Sequence, residues 1–202
     1  MRRDSLGPAM HVEAEVALKE WAVVCGALRD GRHGLLLRKG GIREANAERT
    51  FHAEHRAFAL LPTYFHARDA GRERDLIPEL HAGLAEQGPP AGALRVDLYA
   101  EVTGLWHLRE LAQARALAGR HALSDACVTD RFNYRGPGLW ALHLRVHRLS
   151  APVDLPDRPG YAGCVSWVHL DRPVGGAAAA VVADDEHERR QAALTAALGV
   201  SL

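Results

Sequence analysis

Residues 35–68 read LLLRKGGIREANAERTFHAEHRAFALLPTYFHAR, and this stretch holds the sharpest break in the chain and its best candidate site. The apolar run Leu35 to Leu37 ends in two cations and two glycines. Three histidines follow before Arg68. Short apolar runs that end at glycine are typical of buried strands. We therefore expect a strand that ends at this break, with functional residues behind it.

A β-hairpin is the structure predicted before the break. The segment from Glu20 to Leu28 includes WAVVCGAL, which is rich in the β-branched and aromatic residues that favour strands. Asp30-Gly31 is a common turn between two strands, and Leu35 to Leu37 would form the second strand. Both strands are apolar on both faces, which indicates that they lie centrally in a sheet or are buried on both sides.

Periodicity and capping residues predict the other segments. Alternation of apolar and polar residues predicts strands with one wet face at Leu94 to Val102 and at Leu139 to Leu149. Two further strands are expected at Ala57 to Leu61 and at Tyr161 to Leu170. Prolines, N-cap residues and composition predict helices at Ile77 to Gln87, Leu108 to Ala118, Ser124 to Phe132 and Asp184 to Leu198.

These segments predict a single α+β domain. About six strands and four or five helices occur without the regular alternation of a parallel α/β sheet. We expect a mixed or mostly antiparallel, strongly curved sheet, and an analogy with small RNA- and base-recognition modules indicates a partly closed barrel. The 202 residues suffice for one core, with residues 1–11 as a loose leader and residues 12–202 as the domain.

Composition argues against several functional classes. The formal net charge is zero, so no overall positive field drives binding to nucleic acid or to an anionic membrane, and such binding needs a local patch. Cys25, Cys127 and Cys164 are widely spaced and predict neither a disulfide framework nor a cysteine zinc site. No apolar run is long enough for a signal peptide core or a membrane span. We expect a soluble, cytoplasmic protein.

Several short motifs occur together in this chain: Leu18-Lys19-Glu20-Trp21, LLRKGGI over residues 36–42, His55-Arg56-Ala57-Phe58 running into Pro62-Thr63-Tyr64 and His66, and YAGCVSW over residues 161–167. Their combination resembles the domain-of-unknown-function family DUF1802, across residues 17–170. In that family a Gln usually follows the histidine that corresponds to His66, whereas this chain has Ala67 at that position. The resemblance implies a bacterial protein joined to, or near, a restriction-endonuclease-like domain, and hence a nucleic-acid or defence context. It implies no catalytic residue.

The basic corner formed by Arg38, Lys39, Gly40 and Gly41 is the first candidate site. Two cations precede two glycines, whose backbone N–H groups can approach an anion closely. A phosphate or carboxylate is the expected ligand, and Thr63 is expected beside it. The pattern is neither a Walker A loop nor a dinucleotide-binding turn. The alternative is a solvated turn at the end of a strand.

The residues His52, Glu54, His55 and His66 have the side-chain types of a zinc or manganese site. On a helix His52 and His55 would share a face, whereas on a strand they would point to opposite faces. Without a metal, His55 or His66 could act as a general base that Glu54 orients. The sequence leaves metal, catalytic and structural roles open.

A second basic surface is predicted on the strand from Leu139 to Leu149. Alternation places His143, Arg145 and His147 on its polar face. Such a face could bind nucleic acid through phosphate contacts and stacking, and a plain solvent-facing strand is the alternative. The surface would continue into Arg148, Arg131, Arg135, Tyr134 and Phe132.

Three functions are consistent with these observations. The leading one is a nucleic-acid-associated binding module with a pocket for a phosphate or base. The alternatives are a phosphoester hydrolase that uses His55 and His66, with or without a divalent metal, and a protein-interaction scaffold. The hydrolase needs convergent histidines, the binder a continuous basic face, and the scaffold an exposed apolar patch. The pocket of the leading function would be lined by Arg38, Lys39, His55, Thr63 and His66.

Overall fold

The computed structural model describes residues 9–39, 54–64, 71–85, 88–89, 91–163 and 165–199. Its strands are β1 (Met10–Trp21), β2 (Leu35–Arg38), β3 (Ala57–Thr63), β4 (Ala93–Leu108), β5 (Leu139–Pro156) and β6 (Trp167–Ala180). Its α-helices are α1 (Ala22–Arg29), α2 (Leu111–Ala116), α3 (Asp125–Asn133) and α4 (Asp184–Leu198). Short 3-10 helices lie at Arg72–Asp75, Pro78–Ala85 and Pro159–Tyr161. The predicted α+β class is confirmed.

The six strands form one mixed sheet whose hydrogen bonds close into a ring. The order is β2-β5-β4-β3-β1-β6, and β5 also pairs with β6. β1 and β3 are parallel, and the other pairings are antiparallel. β2 lies outside the ring, where Leu35 to Arg38 pair with the first residues of β5. This ring agrees with the curved, mixed sheet expected from the sequence.

Apolar side chains cover both faces of this sheet. Within β1, Leu18 belongs to one buried cluster and Ala17 to the other, because successive side chains of a strand point to opposite faces. The larger cluster also contains Leu28 of α1, Leu142 of β5 and Leu194 of α4. Burial of each leucine contributes about 2 kcal/mol. This cluster therefore anchors helices and strands to one another.

The hairpin predicted from Glu20 to Leu28 is wrong. β1 ends at Trp21, and the next eight residues form α1. Six residues of α1 are buried, including Val23 and Val24. Burial of these side chains against the core outweighs their weak local preference for a strand. β1 begins at Met10, so the last two residues of the predicted leader belong to the sheet.

The polar face predicted for β5 is not solvent-exposed. His143, Arg145 and His147 are only 1%, 8% and 5% exposed. Helix α4 contacts two of them: Asp184 accepts a hydrogen bond from Arg145, and Gln191 Oε1 lies 2.5 Å from His143 Nδ1. His147 Nε2 instead lies 3.3 Å from Glu101 Oε2 of β4. Alternation identified the polar face correctly, but it could not reveal a helix from a distant part of the chain. Among the neighbouring residues expected on this surface, Phe132 is also buried.

Several predicted segments are confirmed. β3 contains the strand expected from Ala57 to Leu61, and β4 contains the strand expected from Leu94 to Val102. α4 has the predicted bounds. The hydroxyl of Ser124 caps α3 by accepting a hydrogen bond from the backbone N–H of Cys127, as the N-cap preference for serine predicts.

Other segments differ in type or extent. The helix expected from Ile77 to Gln87 is a 3-10 helix over Pro78–Ala85. α2 is shorter than expected because β4 continues to Leu108. β6 begins at Trp167 rather than Tyr161 and continues through a run of small residues to Ala180. Of the helices that the structure describes, none has the combination of length and apolarity that crossing a bilayer requires.

Replacement of Gly175 tests how closely β6 packs on β1. A Cβ atom at Gly175 would lie 2.0 Å from the Val12 backbone oxygen and 2.8 Å from Glu13 Cα. A methyl group there must push the strands apart, so we expect Gly175→Ala to lower the free energy of unfolding by about 2–3 kcal/mol. Urea unfolding followed by far-UV circular dichroism measures this loss. Gly160→Ala is the control, because a Cβ at Gly160 meets no atom within 4 Å; equal losses would contradict the packing argument.

Candidate functional site

Arg38, at the end of β2, is bound inside the protein. Its Nη1 donates to Glu20 Oε2 over 2.9 Å and to the Lys19 backbone oxygen over 3.2 Å, while Nη2 donates to Ser166 Oγ over 2.8 Å. The side chains of Arg38 and Glu20 are 13% and 6% exposed. A buried charge needs such partners, since removing it from water is costly. Arg38 therefore ties β2 to β1 and to the start of β6.

Lys39 also has an internal role. Its Nζ donates to the backbone oxygens of Phe132, Gly136 and Gly138 over 3.0, 2.5 and 2.7 Å. An ammonium group has three N–H donors, so these bonds match its full capacity. Burial lowers the pKa of the Lys39 ammonium group. Lys39 thus holds the loop between α3 and β5 against the end of β2.

Two arginines near this loop lie over aromatic rings. The guanidinium carbon of Arg131 is 5.1 Å from the centre of the Trp21 ring, and its Nη1 donates to the Leu37 backbone oxygen over 3.3 Å. Arg135 is 5.1 Å from the centre of the Tyr134 ring. Cations within about 6 Å of a ring face are attracted to it. Since Tyr134 and Arg135 are exposed, the second pair is presented to solvent.

His107 and Trp140 form a stacked pair of aromatic rings next to the loop between α3 and β5. They lie opposite each other in β4 and β5, with ring centres 4.6 Å apart and planes inclined by 22°. A Cβ atom at Gly138 would lie 3.2 Å from His107 Nε2, so this pair reaches the loop that Lys39 holds. Burial, with the positive charges of Arg109 and Lys39, lowers the pKa of His107. The imidazole is therefore neutral at pH 7 and offers a ring face rather than a charge.

We call this surface the basic-aromatic face. Two acidic residues adjoin its cations in sequence, Asp130 and Glu110, and Asp130 is 4.0 Å from Arg74. Glu20, below the face, is paired with Arg38. Arg109, Arg131 and Arg135 contribute positive charge to this part of the surface. The members of the face are Trp21, Lys39, His107, Arg109, Arg131, Tyr134, Arg135 and Trp140.

The described members of the predicted pocket have different immediate partners. Thr63, at the end of β3, donates to the Glu20 backbone oxygen over 3.2 Å and so lies near Arg38. His55 precedes β3, and its ring packs edge-on against Trp167 at 5.0 Å. The ends of the seven-residue strand β3 are about 20 Å apart. The structure thus places Thr63 near Arg38, and His55 beside Trp167, the residue after the Ser166 that Arg38 contacts. That these residues line one pocket stays a prediction.

The predicted metal and catalytic residues are only partly described. Gly40, Gly41, His52 and His66 lie outside the described residues, and their roles stay predictions. Glu54 is exposed. Across the described ranges, no three His, Cys, Asp or Glu side chains are arranged to bind one metal ion.

Four members of the basic-aromatic face are not predicted from the sequence: Trp21, His107, Arg109 and Trp140. The sequence patterns place Trp21 in a hairpin strand and Trp140 on the apolar side of a strand. The three rings share one signal, an aromatic side chain at the end of an apolar segment. Arg131, Tyr134 and Arg135 were expected beside the polar side of β5, but they surround the end of β2 instead.

A family model described as a domain of unknown function, DUF1802, matches residues 17–193. The chain belongs to the DUF1802 family. The match extends beyond the residues that carry the motif resemblance and includes β6 and most of α4. Comparison of the DUF1802 chain with curated proteins found no match, and comparison with solved structures found none either.

Replacement of Lys39 tests its role in holding the loop. Lys39→Met retains most of the apolar stem but removes the ammonium group from three carbonyl oxygens. We expect the free energy of unfolding to fall by about 2 kcal/mol, since hydrogen bonds to charged groups are worth about 1.5–3 kcal/mol. Urea unfolding measures the change. Arg148→Met, at an exposed position of β5, is the control; a loss no larger than in this control would contradict the holding role.

Proposed function

We propose that this DUF1802 chain is a nucleic-acid-binding module. The basic-aromatic face would contact phosphates through arginine and bases through aromatic rings. The observation that supports this function is the repeated pairing of cation and ring beside the loop between α3 and β5, with Arg131 over Trp21 and Arg135 over Tyr134. Alternating cations and flat rings are typical of surfaces that bind single-stranded nucleic acid.

The charge distribution favours a local rather than a global electrostatic mechanism. The chain as a whole has no net charge, so attraction to phosphates has to come from a patch in which cations are in excess. Arg109 and Arg135 are exposed members of such a patch. Arginine suits this role, because its planar guanidinium group can both contact phosphate and stack on a base.

Arg38 and Lys39 would serve this function indirectly. Their donors are engaged by Glu20, Ser166 and backbone oxygens, so they hold the surface instead of meeting the ligand first. A surface fixed before binding loses less conformational freedom when the ligand arrives. The basic corner is thus proposed as a support for Arg131, Tyr134 and Arg135.

We also propose a cytoplasmic location. Cys25 and Cys127 are free thiols and are buried. Burial raises the pKa of both thiols, most strongly that of Cys25, so they are protonated and unreactive at neutral pH. Free cysteines are typical of proteins in a reducing compartment.

Binding to single-stranded nucleic acid tests the proposed function. The probe is a fluorescein-labelled deoxythymidine oligonucleotide, titrated with the full chain at several salt concentrations and followed by anisotropy. We expect Tyr134→Ala to weaken binding about fivefold, since stacking of one base is worth about 1–3 kcal/mol. Arg109→Ala should reduce the slope of log affinity against log salt by about 0.7, the value for one phosphate contact on a single strand.

Arg95→Ala is the matched control for this titration. Arg95 is an exposed arginine near the start of β4, whereas Arg109 follows the last residue of that strand. Arg95 pairs with Asp154. We expect its affinity and salt slope to equal those of the unaltered chain. Absence of binding at low salt, or equal losses in Arg95→Ala and Arg109→Ala, would overturn the proposal.

Arg135 allows binding and stability to be separated. It is a non-glycine residue with a positive φ, 58°, a conformation that costs a residue with a side chain about 1–2 kcal/mol. Arg135→Gly relieves this strain, while glycine loses about 0.5–1 kcal/mol through greater freedom in the unfolded chain. We expect a net gain of about 0.5 kcal/mol in the free energy of unfolding together with weaker binding. Arg135→Ala keeps the strain and should lose the same affinity without the gain; equal stability of the two variants would contradict this account.

A further inference from the structure

Helix α4 is held on β5 largely by polar contacts. Its buried residues are Leu194 and Thr195. Arg145 of β5 donates to the Asp184 carboxylate and to the Ala183 backbone oxygen. About two turns further along α4, Gln191 Oε1 lies 2.5 Å from His143 Nδ1. Docking of α4 therefore depends on the state of the groups beneath it.

Histidines are concentrated under this helix. The rings of His143 and His187 are stacked with their centres 4.5 Å apart and their planes inclined by 8°. His33, from the loop between α1 and β2, lines a small hollow with both of them. The space available to the centre of a water molecule there is about 10 Å³, close to what one molecule needs. The enclosed part of the hollow therefore has room for about one water molecule beside the rings.

The buried ring nitrogens of this cluster lack acceptors for an additional proton. Because Gln191 Oε1 accepts, His143 Nδ1 donates, and His143 Nε2 is then left as an unprotonated acceptor. His143 Nε2, His147 Nδ1 and His33 Nδ1 are buried and make no hydrogen bond within the described part of the chain. A proton added to one of these atoms would become a buried donor with no acceptor, which is costly.

We propose that the stacked pair His143 and His187 is a proton-operated latch for α4. With both rings neutral, the stack and the Gln191 hydrogen bond hold the helix on the sheet. Protonation places two positive rings face to face in a poorly hydrated space, and α4 separates from β5 while the ring of strands stays folded. The latch concerns α4 and does not depend on the proposed nucleic-acid function.

The surrounding charges do not neutralise an added proton on the stack. Arg145 of β5 and Arg190 of α4 are the nearby cations, and Arg190 is bonded to Glu186. Asp184 of α4 favours a proton on His187, but it is already paired with Arg145. From β4, Thr103 contacts His143, and Glu101 lies beside His147 rather than the stack.

The pKa shifts agree in sign with this geometry. Burial, together with the neighbouring His143 and Arg145, lowers the pKa of His187 to about 4. Burial also lowers the pKa of His143, against the opposing effect of its bond to Gln191. A released histidine titrates near 6.5. The separated form therefore binds more protons below pH 6.5, and docking weakens as the pH falls from about 6.5 to about 4.

Hydrogen exchange of the full chain tests the latch. Protection factors, corrected for the intrinsic pH dependence of exchange, are measured for α4 and for β4 between pH 7.5 and pH 5. We expect α4 protection to fall about tenfold per pH unit below 6.5 for each proton taken up, while β4 protection is retained. His187→Phe keeps a stacked ring that cannot be protonated, so its slope for α4 should be smaller by about one decade per pH unit.

The control is His11→Gln, which alters an exposed histidine of β1. It should leave the slope for α4 unchanged. If α4 and β4 lose protection together, the acid response is general unfolding and the latch is wrong. If His187→Phe has the same slope as the unaltered chain, titration of the stacked pair does not control α4 and the proposal fails.

Discussion

The double pairing of β5 is the constraint on which the rest of the structure depends. One edge of β5 pairs with β4 along nearly its whole length, and the other edge pairs first with β2 and then with β6. The first pairing on that edge places Arg38 opposite Trp140, a member of the basic-aromatic face. The second closes the ring of strands. Between these two regions, His143 and Arg145 of β5 contact α4. One strand therefore positions the basic-aromatic face, the closure of the ring of strands and helix α4.

The charged groups of Arg38 and Lys39 are hydrogen-bonded to partners within the protein. Arg38 satisfies Glu20 and Ser166, and Lys39 satisfies three carbonyl oxygens of a loop. Breaking a buried ion pair by removing one partner is far more costly than the pair itself is stabilising. The two cations therefore specify geometry more than they add stability. They fix where β2 ends and where the loop after α3 lies, and the exposed arginines depend on that framework.

Local patterns were sufficient where local physics decides the structure. Ser124 marks the start of α3 because its hydroxyl satisfies a free N–H group, and α4 keeps its predicted bounds, with Gly199 in the left-handed conformation after its last turn. The predicted hairpin failed because Val23 and Val24 take part in tertiary packing that no local preference encodes. The roles of Arg38 and Lys39 could not be predicted either, since their partners are distant in the chain. The motif of cations followed by two glycines does not reveal whether its side chains bind an external anion or a carbonyl oxygen of the same chain.

The pairing of β1 with β6 affects folding during synthesis. These strands are the first and the last of the sheet along the chain, yet they pair directly, with Met10 opposite Ala178. During synthesis β1 emerges early and must wait for β6 before its second edge is covered. Contacts between such distant segments form slowly, and an uncovered strand edge invites pairing with other chains. The nascent protein thus passes through a long interval in which β1 is vulnerable to aggregation, and its yield in the cell should depend on the speed of translation and on chaperones.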